Sequence, residues 1–297
     1  MAALLASAAP AVAAGPGPQV VVTVKPVHAL VAAVMEGVAE PYLLIDGVAS
    51  PHTYALRPSQ ARRLERAHVV FWVGESLETF FVRTADLLAE RARVVEIMRH
   101  ANLRHGEPHH HTHAPSTPRA GDIPTLDPHV WLDPRNALAI AGLAANVLVE
   151  VDPANAPTYV ANTARLRSAV NALEAEIDAQ LDPVRAVPFV VFHDAYSLFA
   201  RRFGLKAAGA LTLNPAHAPG ARRVAALRET LVQLGVACVF TEPQFEPRLV
   251  RVLIEGTGVR TGVLDPLGVD IPAGPQAYPA LMRRLTASLI ACLGAAV

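Results

Sequence analysis

The sequence predicts an α/β protein with two similar lobes, each a parallel sheet flanked by helices, which one long rigid helix joins. Short β-branched runs alternate with helical segments in both halves of the chain, and these runs are apolar throughout, which is typical of parallel strands. A 26-residue stretch with apolar residues at helical spacing separates the two halves. The length of 297 residues also fits two domains of roughly 150 residues each.

Residues 1–18 have the pattern of a secretory leader. They carry no charge, and an Ala-rich apolar run ends in Ala11-Val12-Ala13, which has the form of a signal-peptide cleavage site. The basic residues that usually open such a leader are missing, so the alternative is an irregular Ala-rich N-terminus. We expect a cleaved signal peptide, export to the periplasm and no direct membrane insertion. The longest other apolar stretch, Ala137 to Val149, is too short to cross about 30 Å of hydrocarbon.

The N-terminal lobe is predicted over residues 19–152. Pro58 sits where a first-turn proline belongs, ahead of a helix, and a second helix is predicted over Val27–Ala39. Residues 99–127 form a His-rich segment with four prolines and no apolar periodicity, which predicts a mobile loop. The predicted strands are Gln19–Lys25, Tyr42–Asp46, His68–Val73 and Arg93–Ile97.

Residues 153–183 predict the connecting helix. The stretch Ala156–Leu181 contains no glycine and places Tyr159, Val170 and Ile177 on one face. At 1.5 Å per residue it reaches about 40 Å, enough to run along both lobes.

The C-terminal lobe is predicted over residues 184–297 and shows the same alternation of strands and helices as the N-terminal lobe. Its expected strands are Pro188–Phe192, Lys206–Leu211, Ala237–Thr241 and Val259–Leu264, and its expected helices are Ala195–Phe203, Pro219–Leu234, Glu246–Gly256 and Pro275–Leu293.

The charge balance and the histidine content limit the classes of function that fit this sequence. Lys and Arg number 26 against 26 Asp and Glu, and this balance argues against a nucleic-acid partner, which would require a basic excess. Twelve histidines, six of them between positions 100 and 113, point to metal binding. These six are His100, His105, His109, His110, His111 and His113.

Four other residues are candidates for a metal site because they lie near the ends of predicted elements. His52 and His193 follow strands, His129 precedes a helix, and Asp265 follows a strand. In open parallel sheets, ligands bind beyond the carboxyl ends of the strands. Any one of these residues alone would more often be structural, but three histidines at such positions indicate a site.

The two cysteines, Cys238 and Cys292, leave two alternatives. A cytosolic protein would keep them as free thiols, whereas an exported protein favours one long-range disulfide.

The chain resembles the zinc-binding members of the metal-binding solute-receptor family, the periplasmic receptors of high-affinity zinc-uptake ABC transporters. The resemblance extends from about Gln19 to Leu293, with the segments in the family order. The segments that carry it are SPHTYALRPSQARRLERAHVVFWVGESLETF, DPHVWLDPRNA, FVVFHDAYSLFARRFGL and CVFTEPQFEPRLVRVLIEGTGVRTGVLDPLG.

The resemblance implies a Zn²⁺ site between the lobes. The matching ligands are His52, His129 and His193, with Asp265 as the fourth ligand or a near neighbour that water replaces. It also implies a Cys238–Cys292 disulfide, an accessory role for the His-rich loop, and delivery of the ion to an ABC permease. We expect a monomer without catalytic activity.

Two other functions fit the sequence less well. A manganese receptor of the same family would carry a carboxylate at position 193 and a lipid anchor, and neither fits this chain. A hydrolase with three histidines on zinc would need a general base, but the chain lacks an H-E-x-x-H motif and nothing places Glu36, Glu75 or Glu242 in that role.

Overall fold

The computed structural model describes residues 17–100, 102–104, 126–212, 220–245 and 248–296. Two four-stranded sheets form its framework, and every strand pair in both is parallel. The two sheets confirm the predicted pair of α/β lobes.

The N-terminal sheet has the order β2-β1-β3-β4. All three residues of β1 are buried valines, as expected for a strand covered on both faces. The predicted strands exist, although β2 is only two residues long. The strands are β1 (Val20–Val22), β2 (Tyr42–Leu43), β3 (Val69–Trp72) and β4 (Arg93–Glu96), and the helices are α1 (Lys25–Met35), α2 (Pro58–Leu64), α3 (Val82–Leu88) and α4 (Pro134–Val151).

The C-terminal sheet has the order β6-β5-β7-β8. Its central strand β5 is buried along its whole length and ends in a histidine. The strands are β5 (Phe189–His193), β6 (Ala207–Thr212), β7 (Cys238–Thr241) and β8 (Arg260–Val263), and the helices are α6 (Ser197–Arg202), α7 (Ala221–Gln233), α8 (Arg248–Ile254) and α9 (Ala277–Leu293).

The predicted connecting helix is present as α5 (Ala156–Leu181), 26 residues long. Pro157 lies in its first turn, where the missing N–H costs no helical hydrogen bond. Asn162 fastens the helix to the end of α1, because its amide donates to the carbonyls of Val34 and Glu36 at 2.8 Å each. The helix therefore packs firmly against the N-terminal lobe.

The two lobes share one hydrophobic core, which the sequence did not predict. Helix α9 belongs to the C-terminal lobe in sequence but also packs against α1 and α5. Tyr278 of α9 is fully buried and donates to the backbone carbonyl of Trp131 at 3.0 Å, while the Trp131 indole donates to the carbonyl of Pro266 at 2.9 Å. A second, smaller apolar cluster lies within the C-terminal lobe, around Val190, Leu231 and Val239.

Polar contacts also cross between the lobes. Lys25 is 6% exposed, and its ammonium donates to the carbonyls of Gly268, Val269 and Ile271 at 2.8–3.1 Å. Arg202 forms a two-point ion pair with Asp133 at 2.8 and 2.7 Å. These bonds favour one relative orientation of the lobes. In this orientation the carboxyl ends of the two sheets face each other.

Cys238 and Cys292 form a disulfide that joins β7 to α9, as predicted. Among the described residues no helix is long and apolar enough to cross a membrane.

Removal of this bridge should destabilise the protein. The bridge closes a span of 54 residues, so a Cys238→Ala/Cys292→Ala variant should lose about 2–4 kcal/mol in guanidinium unfolding. Thiol titration of denatured, unreduced wild-type protein should find close to zero free thiols. Two thiols per chain would contradict the bridge.

Candidate metal centre

The first histidine of the site comes from the loop after β2. His52 lies in a short 3-10 helix, Pro51–Thr53, at whose start the Ser50 hydroxyl accepts a hydrogen bond from the His52 backbone N–H at 3.3 Å. Because β2 ends at the carboxyl edge of its sheet, this loop brings the half-buried imidazole into the cleft between the lobes.

The other two histidines are buried and lie on rigid backbone. His193 is the last residue of β5 and is 2% exposed. His129 is 3% exposed and immediately precedes the 3-10 helix Val130–Leu132, which leads into α4. The Asp133 side chain caps α4 by accepting from the Arg135 N–H at 2.9 Å, which fixes the backbone behind His129.

The three imidazoles converge. One ring nitrogen from each of His52, His129 and His193 lies within 4.8 Å of the other two. The ring centroids are 5.0–5.7 Å apart, and the Nε2 atoms of His129 and His193 are 3.2 Å apart. Three nitrogens at this spacing can reach one ion at the roughly 2.0–2.1 Å of zinc–imidazole bonds after small side-chain shifts.

Two carboxylates orient the buried rings. Nδ1 of His129 bonds to Asp127 at 2.8 Å, and Nδ1 of His193 bonds to Glu242 at 2.5 Å. An ionised carboxylate only accepts, so each Nδ1 carries the proton and each Nε2 offers its lone pair to the cavity. This arrangement of carboxylate and imidazole is the usual support for a metal-binding histidine.

Asp127 is itself held by both lobes. Its carboxylate accepts from the His129 backbone N–H at 2.9 Å and from the Ser197 hydroxyl at 2.5 Å. Burial acts to raise the pKa of Asp127, but the bonds from His129 and Ser197 outweigh it and hold that pKa below its usual range. Asp127 therefore stays ionised beside His129.

His52 is kept neutral by its surroundings. Burial, and then the neighbouring His129 and His193, lower the pKa of His52 to about 2. Its Nε2 is buried and has no hydrogen-bond partner within the protein. A neutral imidazole with a free lone pair is the form that binds metal ions.

The cavity bounded by these rings is small. Its volume is about 10 Å³, which matches one water molecule or one metal ion. Besides the histidines, its polar lining includes Ser50, Glu242 and Gln244. A cavity of this size has room for one ion.

Asp265 lies outside the three-histidine cluster. Its Oδ1 accepts from the Gln244 amide at 2.9 Å and from the Leu267 N–H at 3.0 Å, and its Oδ2 accepts from the Val269 N–H at 2.6 Å. Both oxygens therefore have partners in the protein, and direct binding of Asp265 to the ion stays a prediction.

The remaining histidines divide into two groups. His28 bonds to the carbonyl of Pro41 at 2.9 Å, and His68 accepts from the Gln19 N–H at 2.9 Å, so both have structural contacts. His100 is half-buried and ends a short 3-10 helix. The other six histidines lie outside the described residues: His217 and five members of the predicted accessory loop, which are His105, His109, His110, His111 and His113.

The carboxylates and the amide that support the histidines were not predicted from the sequence. Asp127 stands two residues before His129 in DPH, a spacing that could have suggested a carboxylate behind the imidazole. By sequence Glu242 is only a candidate carboxylate that nothing places as a base, and Gln244 lies in no recognisable motif. No local signal shows that either residue faces His193, because 49 positions separate Glu242 from that histidine.

Comparisons with known proteins identify the family of the chain. The family model described as zinc-uptake complex component A, periplasmic, matches residues 20–292. The high-affinity zinc uptake system protein ZnuA of Brucella abortus (strain 2308) is 41% identical, over 94% of this chain and 93% of that protein. The protein of the same name from Yersinia pestis is 35% identical, over 92% of this chain and 91% of its own length.

Solved structures share the fold. A crystal structure of ZnuA superposes with a TM-score of 0.78 at 22% identity, over 93% of this chain and 99% of that one. The periplasmic zinc binding protein TroA from Treponema pallidum gives 0.76 at 18% identity, over the same shares. On the strength of the family match and the two sequence relatives, the chain belongs to the family of zinc-uptake complex component A, the periplasmic component.

Proposed function

We propose that this protein captures Zn²⁺ in the cleft between its lobes and delivers the ion to the permease of an ABC transporter. The convergence of three imidazole nitrogens within 4.8 Å is the observation that carries the proposal. Membership of a family whose named relatives are zinc-uptake proteins supports the same ion.

His52, His129 and His193 are the proposed ligands. Neutral imidazoles suit Zn²⁺, and three of them leave the fourth tetrahedral position for a water molecule or a carboxylate. The bonds to Asp127 and Glu242 hold two of the rings with Nε2 toward the ion, so little side-chain entropy is lost on binding.

Transport requires that the ion be enclosed and later released. His52 and His129 belong to the N-terminal lobe and His193 to the C-terminal lobe, so separation of the lobes would remove at least one nitrogen from the ion. The shared core around α5 and α9 and the bonds of Lys25 restrict that movement. We therefore propose a small rearrangement rather than wide opening.

Membership of the family supports a cellular location and a transport partner for this protein. Its members are periplasmic components of zinc uptake, which supports a periplasmic location for this chain. A cleaved leader at residues 1–18, a monomeric state and docking to the membrane permease are parts of the proposal. The His-rich loop would act as an accessory collector of zinc.

A hydrolytic function has less support. Three histidines on zinc also serve in hydrolases, but those enzymes must admit a substrate to the metal. The carboxylate that lines the cavity beside the histidines, Glu242, bonds to Nδ1 of His193 and orients that ring.

Loss of any one ligand should weaken the tight zinc site. We expect His52→Ala, His129→Ala and His193→Ala each to raise the dissociation constant at least about tenfold, roughly 1.4 kcal/mol. Competition titration with a zinc chelator measures this. His68→Ala is the control because His68 is exposed and bonds only to backbone near the start of β1. Wild-type affinity in all three variants would contradict the site.

The ligand at position 193 should set the preference for zinc over manganese. Mn²⁺ favours oxygen ligands and higher coordination, whereas imidazole suits Zn²⁺. His193→Glu should therefore narrow the ratio of zinc to manganese affinity, chiefly by weakening zinc. Paired competition titrations at one pH test this, and an unchanged ratio would place His193 outside the metal's ligands.

The His-rich loop should add capacity rather than affinity. Separate histidines on a loop must lose chain entropy to meet at one ion, so their sites should be weaker than the preformed one. Replacing His105, His109, His110, His111 and His113 with serine should lower total zinc stoichiometry and leave the tightest dissociation constant within about twofold, under 0.5 kcal/mol. Loss of the tightest zinc site in this variant would show that the histidines of this segment, and not the three cleft histidines, bind zinc most tightly.

A further inference from the structure

Lys25 is a buried cation that is bonded to the opposite lobe. It is the first residue of α1, just after the carboxyl end of β1, and only 6% of it is exposed. Its ammonium donates to the carbonyls of Gly268, Val269 and Ile271 at 3.1, 2.8 and 3.0 Å. A lysine ammonium has three N–H groups, so each of them has its own acceptor. One short stretch of the C-terminal lobe therefore satisfies the whole ammonium.

The three carbonyls belong to the 265–271 loop, which follows β8. Gly268 has a φ of +67°, a conformation that favours glycine, and the turn at this residue brings the carbonyls together. The carbonyl of Gly268 also accepts from the Ile271 N–H at 3.0 Å. The Asp265 carboxylate accepts from the N–H groups of Leu267 and Val269. Because its own hydrogen bonds brace the loop, we expect it to move as one unit.

The same loop forms one wall of the metal cavity. Pro266 and Leu267 line that cavity together with the three histidines. Leu267 also lines a second cavity of about 10 Å³, whose walls include Lys25 and Ala49. The loop therefore lies between the Lys25 ammonium and the metal site, and Leu267 is the side chain that contacts both spaces.

The contact between Lys25 and the loop should have two states. While the lobes are together, loss of the carbonyls would leave a buried charge without partners, which is costly. Once the lobes part, water can replace all three acceptors, so the net cost of the exchange is modest. The ion pair of Lys25 with Asp46, at 3.4 Å, adds little because Asp46 is 70% exposed. The three carbonyl bonds therefore determine whether this contact is closed or open.

We propose that Lys25 is the latch of the metal cavity. Its three bonds hold the 265–271 loop closed over the ion, and the breaking of these bonds limits how fast zinc enters and leaves. Lys25 is a positioning residue, since it acts through the loop rather than through a bond to the three histidines. This inference rests on the proposed zinc site and adds the step that controls exchange of the ion.

Such a latch has a kinetic signature. The ammonium does not bind the ion, so its bonds stabilise the closed lobes to the same extent with and without zinc. Loss of the bonds should therefore speed zinc entry and zinc exit by similar factors and leave the equilibrium affinity nearly unchanged. Loss of a metal ligand has a different signature, because it weakens the affinity itself.

Lys25→Met tests the latch, because methionine keeps most of the length of the side chain and removes its charge and donors. The zinc dissociation rate, measured by stopped flow into excess chelator, should rise at least about tenfold, while the dissociation constant should stay within about threefold. A wild-type dissociation rate would overturn the proposal. A rise in the dissociation constant as large as the rise in the rate would also overturn it, because Lys25 would then support affinity rather than closure.

Arg228→Met is the matched control. Arg228 is also a cation that donates to backbone carbonyls, but its acceptors lie in its own lobe, at Val252, Leu253 and Glu255. This variant should exchange zinc at the wild-type rate, with the folding of both variants checked by circular dichroism. Equal acceleration in Arg228→Met would assign the effect to general destabilisation and would refute the latch.

A second variant tests the loop without changing the ammonium. Leu267→Ala removes most of the side chain between the two cavities, so it should also speed zinc exchange. Because both residues act on one loop, the effect of the double variant Lys25→Met/Leu267→Ala should be smaller than the product of the single effects. Fully multiplicative effects would contradict this coupling. If Lys25→Met does not fold, wild-type exchange in Leu267→Ala overturns the proposal by itself.

The outcomes distinguish this inference from the proposed function. If wild-type protein binds zinc tightly and His52→Ala weakens that binding, the proposed function stands. If Lys25→Met then exchanges zinc at the wild-type rate, the latch alone is wrong. If wild-type protein binds no zinc at the histidines, the proposed function and this inference both fail.

Discussion

The buried contact between the two lobes is the constraint on which the metal centre depends. The Tyr278 hydroxyl donates across it to the carbonyl of Trp131, and the Trp131 indole donates to the carbonyl of Pro266. Lys25 satisfies its buried ammonium with carbonyls of the opposite lobe. A buried ammonium is costly without such partners, so these bonds favour one relative orientation of the lobes. That orientation sets the carboxyl ends of two parallel sheets opposite each other. His52 lies in the loop after β2 and His193 ends β5, while His129 enters the same cleft from the 3-10 helix ahead of α4.

With the lobes in this orientation, the three imidazoles already have the protonation state that metal binding requires. Asp127 and Glu242 fix the tautomers of His129 and His193, and burial keeps His52 neutral. A metal ion bound there would therefore meet three free lone pairs and would displace no proton from His52. This arrangement lowers the stability of the folded protein, because buried polar atoms such as His52 Nε2 lose their hydrogen bonds to water and find no partner within the protein.

The same features suit a protein that must both hold and release an ion. Ligands from two lobes let a small relative movement change the number of nitrogens around the metal. The Ser197–Asp127 bond crosses the lobes and ends on the carboxylate that orients His129. Separation of the lobes would thus loosen the support of a ligand as well as the ligands themselves.

The sequence by itself determined the local elements and indicated the three proposed ligands. Continuous apolar β-branched runs specify buried parallel strands, helical spacing specifies α5, and the family segments single out His52, His129 and His193. Only the tertiary structure decided which groups stand behind those ligands. It paired Glu242 with His193, turned Asp265 toward Gln244 and its own loop, and packed α9 against both lobes. The physical reason is that such pairings join positions far apart in the chain, and their partners are set by how two separately formed sheets pack, which no local pattern of residues encodes.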